Sequence, residues 1–346
     1  MPWWVFLAPW AMLVLGVQAM VQGGWVTWAL PAYTFIAIPV LDQLFPGDGY
    51  NPTPDEEQQR KHSRAFDLLI WCIVPVQFGL LALYLYQVGH GGFVAWELAG
   101  MTVSMGISCG VYGINVGHEL GHRPTRFEQH LARAALLTSL YQHFFIEHNR
   151  GHHRRVATEE DPATARIGES VYAFWWRSIK GSWLSAWQLE RERLERAGRP
   201  WLSIHNQMLR MQLGQAAFVV AIGLIFGALP LAGFLVAALI GALLLETINY
   251  IEHYGLSRSR RPDGHYERVQ PVHSWNADRT FGRVFLYELT RHADHHAHAA
   301  RPYQLLRHFP EAPQLPAGYP AMILLALIPP LFRAVMHPRI QQVQAA

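Results

Sequence analysis

Histidine is the residue whose distribution in this chain calls for an explanation. There are 19 histidines in 346 residues, and many of them gather. His118 and His122 stand four apart in "GHELGH". The segment "EHNRGHH" supplies His148, His152 and His153. His253 lies in "NYIEHYG", and "RHADHH" supplies His292, His295 and His296. On a helix, residues at i, i+3 and i+4 share one face, so each group can aim several imidazoles at one point. A lone helical histidine is usually structural, but repeated groups with ligand spacing are not explained that way. The chemistry that imidazole offers at such spacing is metal coordination.

His118-Glu119-Leu120-Gly121-His122 also fits H-E-x-x-H, in which two histidines bind zinc and the glutamate serves a metalloprotease as base. A catalytic zinc takes three protein ligands and keeps one position open. That arrangement employs His118, His122 and one more ligand, and leaves at least six clustered histidines without work. Nine imidazoles exceed even one octahedral shell, so their number asks for two metals. A ligating histidine usually donates its other N–H to an acceptor. Glu119, Glu147, Glu252 and Asp294 stand beside these histidines and are the candidate carboxylates for that role. Imidazole suits zinc, copper, iron and nickel alike, which leaves the metal open. There is no nucleophile elbow, no phosphate-binding loop and no dinucleotide fingerprint, and nothing marks a nucleic-acid partner. The two cysteines, Cys72 and Cys109, lie inside apolar runs without a C-x-x-C, which excludes a disulfide framework and a cysteine-held iron–sulfur centre.

The elements that must position these groups are membrane helices. Hydrophobic residues make up 51% of the chain and charged residues 15%, against about 25% charged in a typical soluble chain. Residues 3–41, 68–96, 98–117 and 211–245 contain no Asp, Glu, Lys or Arg. Because a helix needs roughly 20 apolar residues to cross a bilayer, these runs predict an all-α polytopic membrane protein. Six transmembrane helices are expected, near 3–20, 25–42, 67–88, 93–117, 212–229 and 231–250. The first run lacks a basic start and continues into the second, so it reads as a span and not as a cleaved signal. "YPAMILLALIPPLFRA" at 319–334 is too short to cross and holds a double proline; it reads as a re-entrant or interfacial piece.

Loop charge gives the orientation. The links at 22–24, 89–92 and around Pro230 carry no Lys or Arg, whereas the loop 46–66 and the segments after 117 and after 251 do. By the positive-inside rule the arginine-rich side is cytoplasmic. Both termini and a helical cap, formed by 118–211 and 251–346, then lie in the cytoplasm. The whole of 1–346 reads as a single integral-membrane domain of the inner membrane, with the histidine-rich dimetal site in the cap. Net charge is a modest +3. Arg150, Arg154, Arg155, Arg166, Arg258, Arg260, Arg261, Arg291 and Arg301 surround the histidine segments. Some are expected to pair with Glu159, Glu160 and Asp161, and the remainder to face anionic lipid or an acidic protein. A metal centre at the mouth of a lipid-embedded bundle suits an apolar substrate that enters from the bilayer.

At these residues the chain resembles a known family. "HELGH", "FFIEHNRGHHRRVATEEDPATAR", "NYIEHYGL", "HSWN" and "RHADHHAHAARPYQ" are similar to the histidine boxes of the membrane-bound, rubredoxin-dependent alkane monooxygenases, relatives of the membrane fatty-acid desaturases and of xylene monooxygenase. The similarity runs from about Ile38 to about Pro338. It implies two non-haem Fe ions held by His118, His122, His148, His152, His153, His253, His292, His295 and His296. It implies terminal hydroxylation of n-alkanes with O2, and electrons from NADH through rubredoxin reductase and rubredoxin. The chain departs from the family's usual motifs at Val272, where histidine is frequent, and at Leu289-Thr290, where Leu-Gln is frequent. Substrate reach would be set by bulky residues along the spans, with Trp28, Phe35, Ile38 and Leu41 as candidates. A relative that hydroxylates aromatic methyl groups or desaturates lipids, and a membrane zinc protease, are the alternatives.

Overall fold

The computed structural model describes residues 1–345. Its regular structure is helical: among the described residues there is no strand, only isolated bridges between Arg260 and Tyr266 and between Asn276 and Gln314. Five helices among those residues are long and apolar enough to cross a membrane. They are Trp3–Gln22, Gly24–Leu44, Arg64–His90, Gln207–Phe226 and Ala228–His253, of 20, 21, 27, 20 and 26 residues. At a rise of ~1.5 Å per residue, each reaches across the ~30 Å of a hydrocarbon core. Their apolar side chains are not confined to a buried stripe: Leu224 is 82% and Ile225 72% exposed. Such surface is costly in water and is at home in lipid.

These five coincide with five of the six expected spans. The run expected at 93–117 takes a different form. It is an α-helix at Ala95–Ser108, a π-helix at Cys109–Asn115 and a further α-helical piece at Val116–Gly121. The segment at 319–334 is also divided, into helix Tyr319–Ala326 and the start of helix Pro329–Ala345. Tyr319, Met322 and Phe332 within it are buried.

The chain divides into two compact units, each assembled from three stretches. One comprises Met1–Thr34, Arg64–Asn149 and Trp183–Leu245. The other comprises Phe35–Ser63, Arg150–Ser182 and the chain from Glu246 onward. In the first, Leu80, Leu81, Tyr84 and Leu85 pack with Met101, Met105, Ile222 and Phe234 in one buried cluster. Three buried polar side chains of this unit pair with one another: Ser108 Oγ donates to Gln77 Oε1 at 2.7 Å, and Gln77 Nε2 to Thr138 Oγ1 at 3.3 Å. A buried hydroxyl or amide without a partner would cost about 1–3 kcal/mol. Close helix approach depends on Gly113 and Gly117. A Cβ on Gly113 would stand 2.6 Å from Ser139 Oγ, and one on Gly117 2.9 Å from Leu136 Cγ. In the second unit the large buried side chains are Tyr254, Trp275, Tyr303, Tyr319 and Phe332. Asp42 Oδ1 accepts from the backbone N–H groups of Phe281 and Gly282, both at 3.0 Å, and so caps helix Thr280–Phe285.

Candidate metal centre

In the first unit, His118 and Glu119 lie on the short helix Val116–Gly121, which the π-helix Cys109–Asn115 precedes. His148 opens another π-helix, His148–His152. Single π turns are rare and concentrate at functional sites, because an i→i+5 turn re-aims side chains off the regular helical face. Three of the expected ligands meet here. The ring of His118 lies 4.9 Å from that of His122 and 4.4 Å from that of His148. His122 Nε2 and His148 Nε2 are 3.1 Å apart. Two imidazole nitrogens at that distance need a proton or a cation between them, since their lone pairs otherwise repel. Phe144 stacks on His148 at 4.6 Å and covers one face of the ring.

The second unit gathers more. His253 is the last residue of helix Ala228–His253. His292, His295 and His296 occupy i, i+3 and i+4 of helix His292–Ala297. The segment "HSWN" fixes both ends: Trp275 N donates to Glu252 O at 2.8 Å, Trp275 Nε1 to Tyr254 O at 3.0 Å, and Asn276 Oδ1 accepts from Ala293 N at 2.8 Å. As a result, His152, His253, His292 and His296 present ligand atoms that all lie within 4.8 Å of one another, and all four residues are buried. His292 Nε2 is 3.2 Å from His253 Nε2 and 2.8 Å from His296 Nε2. His153 and His295 form a pair, Nε2 to Nε2 at 3.1 Å. Burial pushes the His296 ring well below the usual histidine range, and its histidine neighbours push it further. The ring is therefore neutral and able to act as a ligand. Buried imidazoles converging through Nε2 are the donor set of a nitrogen-rich metal site.

The four expected supporting carboxylates take different places. Glu119 is held by Arg123, with contacts of 2.8 Å to Nη2 and 2.9 Å to Nε. Arg123 also reaches Asp67 at 3.2 Å. Glu147 accepts from Ser185 Oγ at 3.3 Å. Glu252 Oε2 lies 3.2 Å from His292 Nε2, the nitrogen that faces His253 and His296. This carboxylate thus points at the converging nitrogens and not at the far side of a ring. Asp294 accepts from His298 Nδ1 at 2.8 Å, Arg301 Nη1 at 2.6 Å and Arg307 N at 2.7 Å, so it braces the chain after the helix. A carboxylate outside the expected four supports a candidate ligand: Asp161 Oδ2 accepts from His152 Nδ1 at 2.9 Å. Burial pushes the Asp161 carboxyl up, but His152 and the Thr164 hydroxyl outweigh it and hold it below its usual range. In the sequence Asp161 reads as a partner for arginine. It stands nine residues after His152 and shares no periodic face with it, so only the fold reveals the pairing.

The arginines also sort differently from the expected basic surface. Arg291 is buried and bound to Leu306 O, Tyr50 O and Asp278. Arg301 is occupied by Asp294. Arg258 is buried, whereas Arg154, Arg166, Arg260 and Arg261 are exposed. Arg260 lies 3.7 Å from Glu160 and Arg261 3.3 Å from Asp263.

Residues 93–326 match the fatty acid desaturase family. The chain is 43% identical over 312 residues to an alkane 1-monooxygenase of Acinetobacter baylyi, covering 90% of this chain and 76% of that one. It is 37% identical over 342 residues to alkane 1-monooxygenase 1 of Alcanivorax borkumensis, covering 98% and 84%. It is 31% identical over 333 residues to the xylene/toluene monooxygenase hydroxylase component of Pseudomonas putida, covering 93% and 84%. A membrane-type helical chain with buried histidine clusters, matched over this length, belongs to the alkane 1-monooxygenase branch of the fatty acid desaturase family.

Proposed function

We propose that this chain is a membrane monooxygenase that converts the terminal methyl of an n-alkane into a primary alcohol, with O2 as oxidant and rubredoxin as electron donor. The observation that carries this reading is the buried four-histidine cluster of the second unit, with His152 braced by Asp161, in a chain whose alkane monooxygenase relatives align over most of its length. His152, His253, His292 and His296 would hold one metal, and together with His118, His122, His148, His153 and His295 they make up the nine proposed ligands. All nine are nitrogen donors, which suits the two non-haem iron ions we infer. Iron held there supplies the one-electron chemistry that O2 activation and C–H hydroxylation require.

The chain's own residues do the rest. Asp161 fixes the tautomer of His152 by taking its Nδ1 proton in a hydrogen bond, leaving Nε2 to the metal. "HSWN" fixes the approach of His253 and His292. Phe144 and the buried apolar neighbours keep water from the imidazoles. The uncharged spans offer the substrate an apolar path. Because the chain has no nucleotide fingerprint and no cysteine set, electrons come from an external carrier, supplied by rubredoxin reductase and NADH. We place 1–346 in the inner membrane as one integral domain of six spans, with both termini and the histidine-bearing segments cytoplasmic. The exposed arginines of those segments then favour an acidic carrier.

A second reading, hydroxylation of aromatic methyl groups, draws on the likeness to the xylene/toluene monooxygenase component. Competing n-alkanes and methylarenes in one assay separates the two readings by product.

A further inference from the structure

A cavity of about 240 Å³ lies within the second unit, lined by Arg154, Arg155, Thr158, Arg258, His265 and Tyr266, with Glu160 beside them. Arg258 is the unusual member, because it is an arginine only 9% exposed. Its Nη1 donates to Glu267 O at 3.0 Å and its Nη2 to Arg154 O at 2.8 Å. Its Nε is buried and meets no hydrogen-bond acceptor. Burial pulls its pKa below the ordinary arginine value, a sign that the charge is under-compensated. The turn 259–267 builds the wall: Glu267 N donates to Ser259 O at 3.0 Å, and Arg261 N to His265 O at 2.8 Å. The turn sets the Tyr266 ring against two guanidiniums, Arg258 at 5.6 Å and Arg260 at 4.7 Å from its centroid.

Asp161, Glu267 and Glu160 attract Arg258 electrostatically, but burial outweighs them. Glu160 is paired with Arg260 at 3.7 Å, Glu267 Oε1 accepts from Ser259 N at 2.8 Å, and Asp161 holds His152. Three guanidiniums and the Glu160 carboxylate line this cavity. A buried guanidinium with an unmatched Nε–H is costly, and the guanidinium fork matches tetrahedral and planar oxyanions better than any other side chain.

We propose that the Arg154–Arg155–Arg258–Tyr266 cavity binds one phosphate-type oxyanion. The ligand completes the hydrogen bonding of Arg258 through Nε and offsets the charge of the exposed Arg154. It comes either as free phosphate or as the phosphodiester of a lipid headgroup. The site stands whether or not the proposed alkane hydroxylation is correct, since its test does not use turnover.

The test is calorimetric titration of inorganic phosphate into the purified full-length chain, in buffer free of phosphate and sulfate. Free phosphate as the source predicts saturable binding of one ion per chain, weakened about tenfold or more by Arg154→Ala and by Arg258→Gln, at unchanged metal content. A lipid source predicts weak phosphate binding, but one phosphatidylglycerol retained per wild-type chain in native mass spectrometry and lost in Arg154→Ala. Arg154 is exposed, so its variant keeps the test decisive even where loss of Arg258 disturbs folding. Binding of neither probe, or binding unchanged in Arg154→Ala, overturns the proposal.

Discussion

Asp161 Oδ2 lies 2.9 Å from His152 Nδ1, and both side chains are buried. A carboxylate at that place orients the imidazole and raises its basicity toward a metal on Nε2. Asp161→Ala is expected to lower metal affinity roughly 10–100-fold, and Asp161→Asn, which keeps an acceptor, to lower it less. Metal content measured across a chelator series checks both. Equal retention by wild type and Asp161→Ala would separate the pair from metal binding.

His152 and His296 both belong to the buried four-histidine cluster. Replacing either by Ala opens the shell, and an incomplete shell binds weakly. Iron per chain should fall and hydroxylation should be lost, as read by metal analysis beside product formation. A variant that keeps full activity removes its residue from the ligand set.

Glu119 separates the proposed hydroxylase from a zinc peptidase. A peptidase needs this carboxylate as base, yet Arg123 grips it at 2.8 Å. Glu119→Gln keeps an acceptor for Arg123 and removes only the charge, so it is expected to keep the metals and lower stability by roughly 1 kcal/mol. Thermal melting and metal analysis give the two numbers. Peptide hydrolysis by the wild type that Glu119→Gln abolishes would contradict the hydroxylase assignment.

His143 makes the fold sensitive to acid. Burial pulls its pKa from an ordinary 6.5 down to about 4. The folded chain therefore resists protonation there, while the unfolded chain accepts it. The stability this neutral ring contributes is present above about pH 6.5, is lost as pH falls toward 4 and changes no further below that. The full difference is worth roughly 3 kcal/mol. The melting temperature of wild type should drop more between these pH values than that of His143→Leu. Parallel curves for the two proteins would remove His143 as the cause.

Much of this was legible in the sequence because it is periodic. Uncharged runs announced the five long apolar helices, and i, i+3, i+4 spacing announced His292, His295 and His296 on one helix. Adjacency in sequence misled where the fold redirects side chains. Asp294 lies among the ligands in sequence, yet it braces Arg301 and His298. Asp161 carries no periodic mark and reaches His152 through a turn. The run at 93–117 looked like a plain span, and composition gives no sign of the π-helix at Cys109–Asn115. Arg258 looked exposed because charge usually is, but it is buried by the turn 259–267.

Docking of the proposed donor, rubredoxin, should be electrostatic. Arg154 and Arg260 remain exposed near the histidine-bearing segments. Charge-steered association weakens as salt screens it, with a Debye length of ~8 Å at physiological ionic strength. The apparent KM for rubredoxin is expected to rise with salt while that for alkane barely moves, and Arg260→Glu should raise the rubredoxin KM without loss of iron. Turnover indifferent to salt and to the reversal would place the docking surface elsewhere.

The most direct measurement is product identification. Purified chain loaded with iron is supplied with NADH, rubredoxin reductase, rubredoxin and 18O2, and is offered a ladder of n-alkanes. The account predicts primary alcohols carrying one 18O atom, formed only with the complete electron chain and absent in His296→Ala. Alkenes, benzylic alcohols formed in preference when methylarenes compete, or no oxygenated product from any alkane would contradict it.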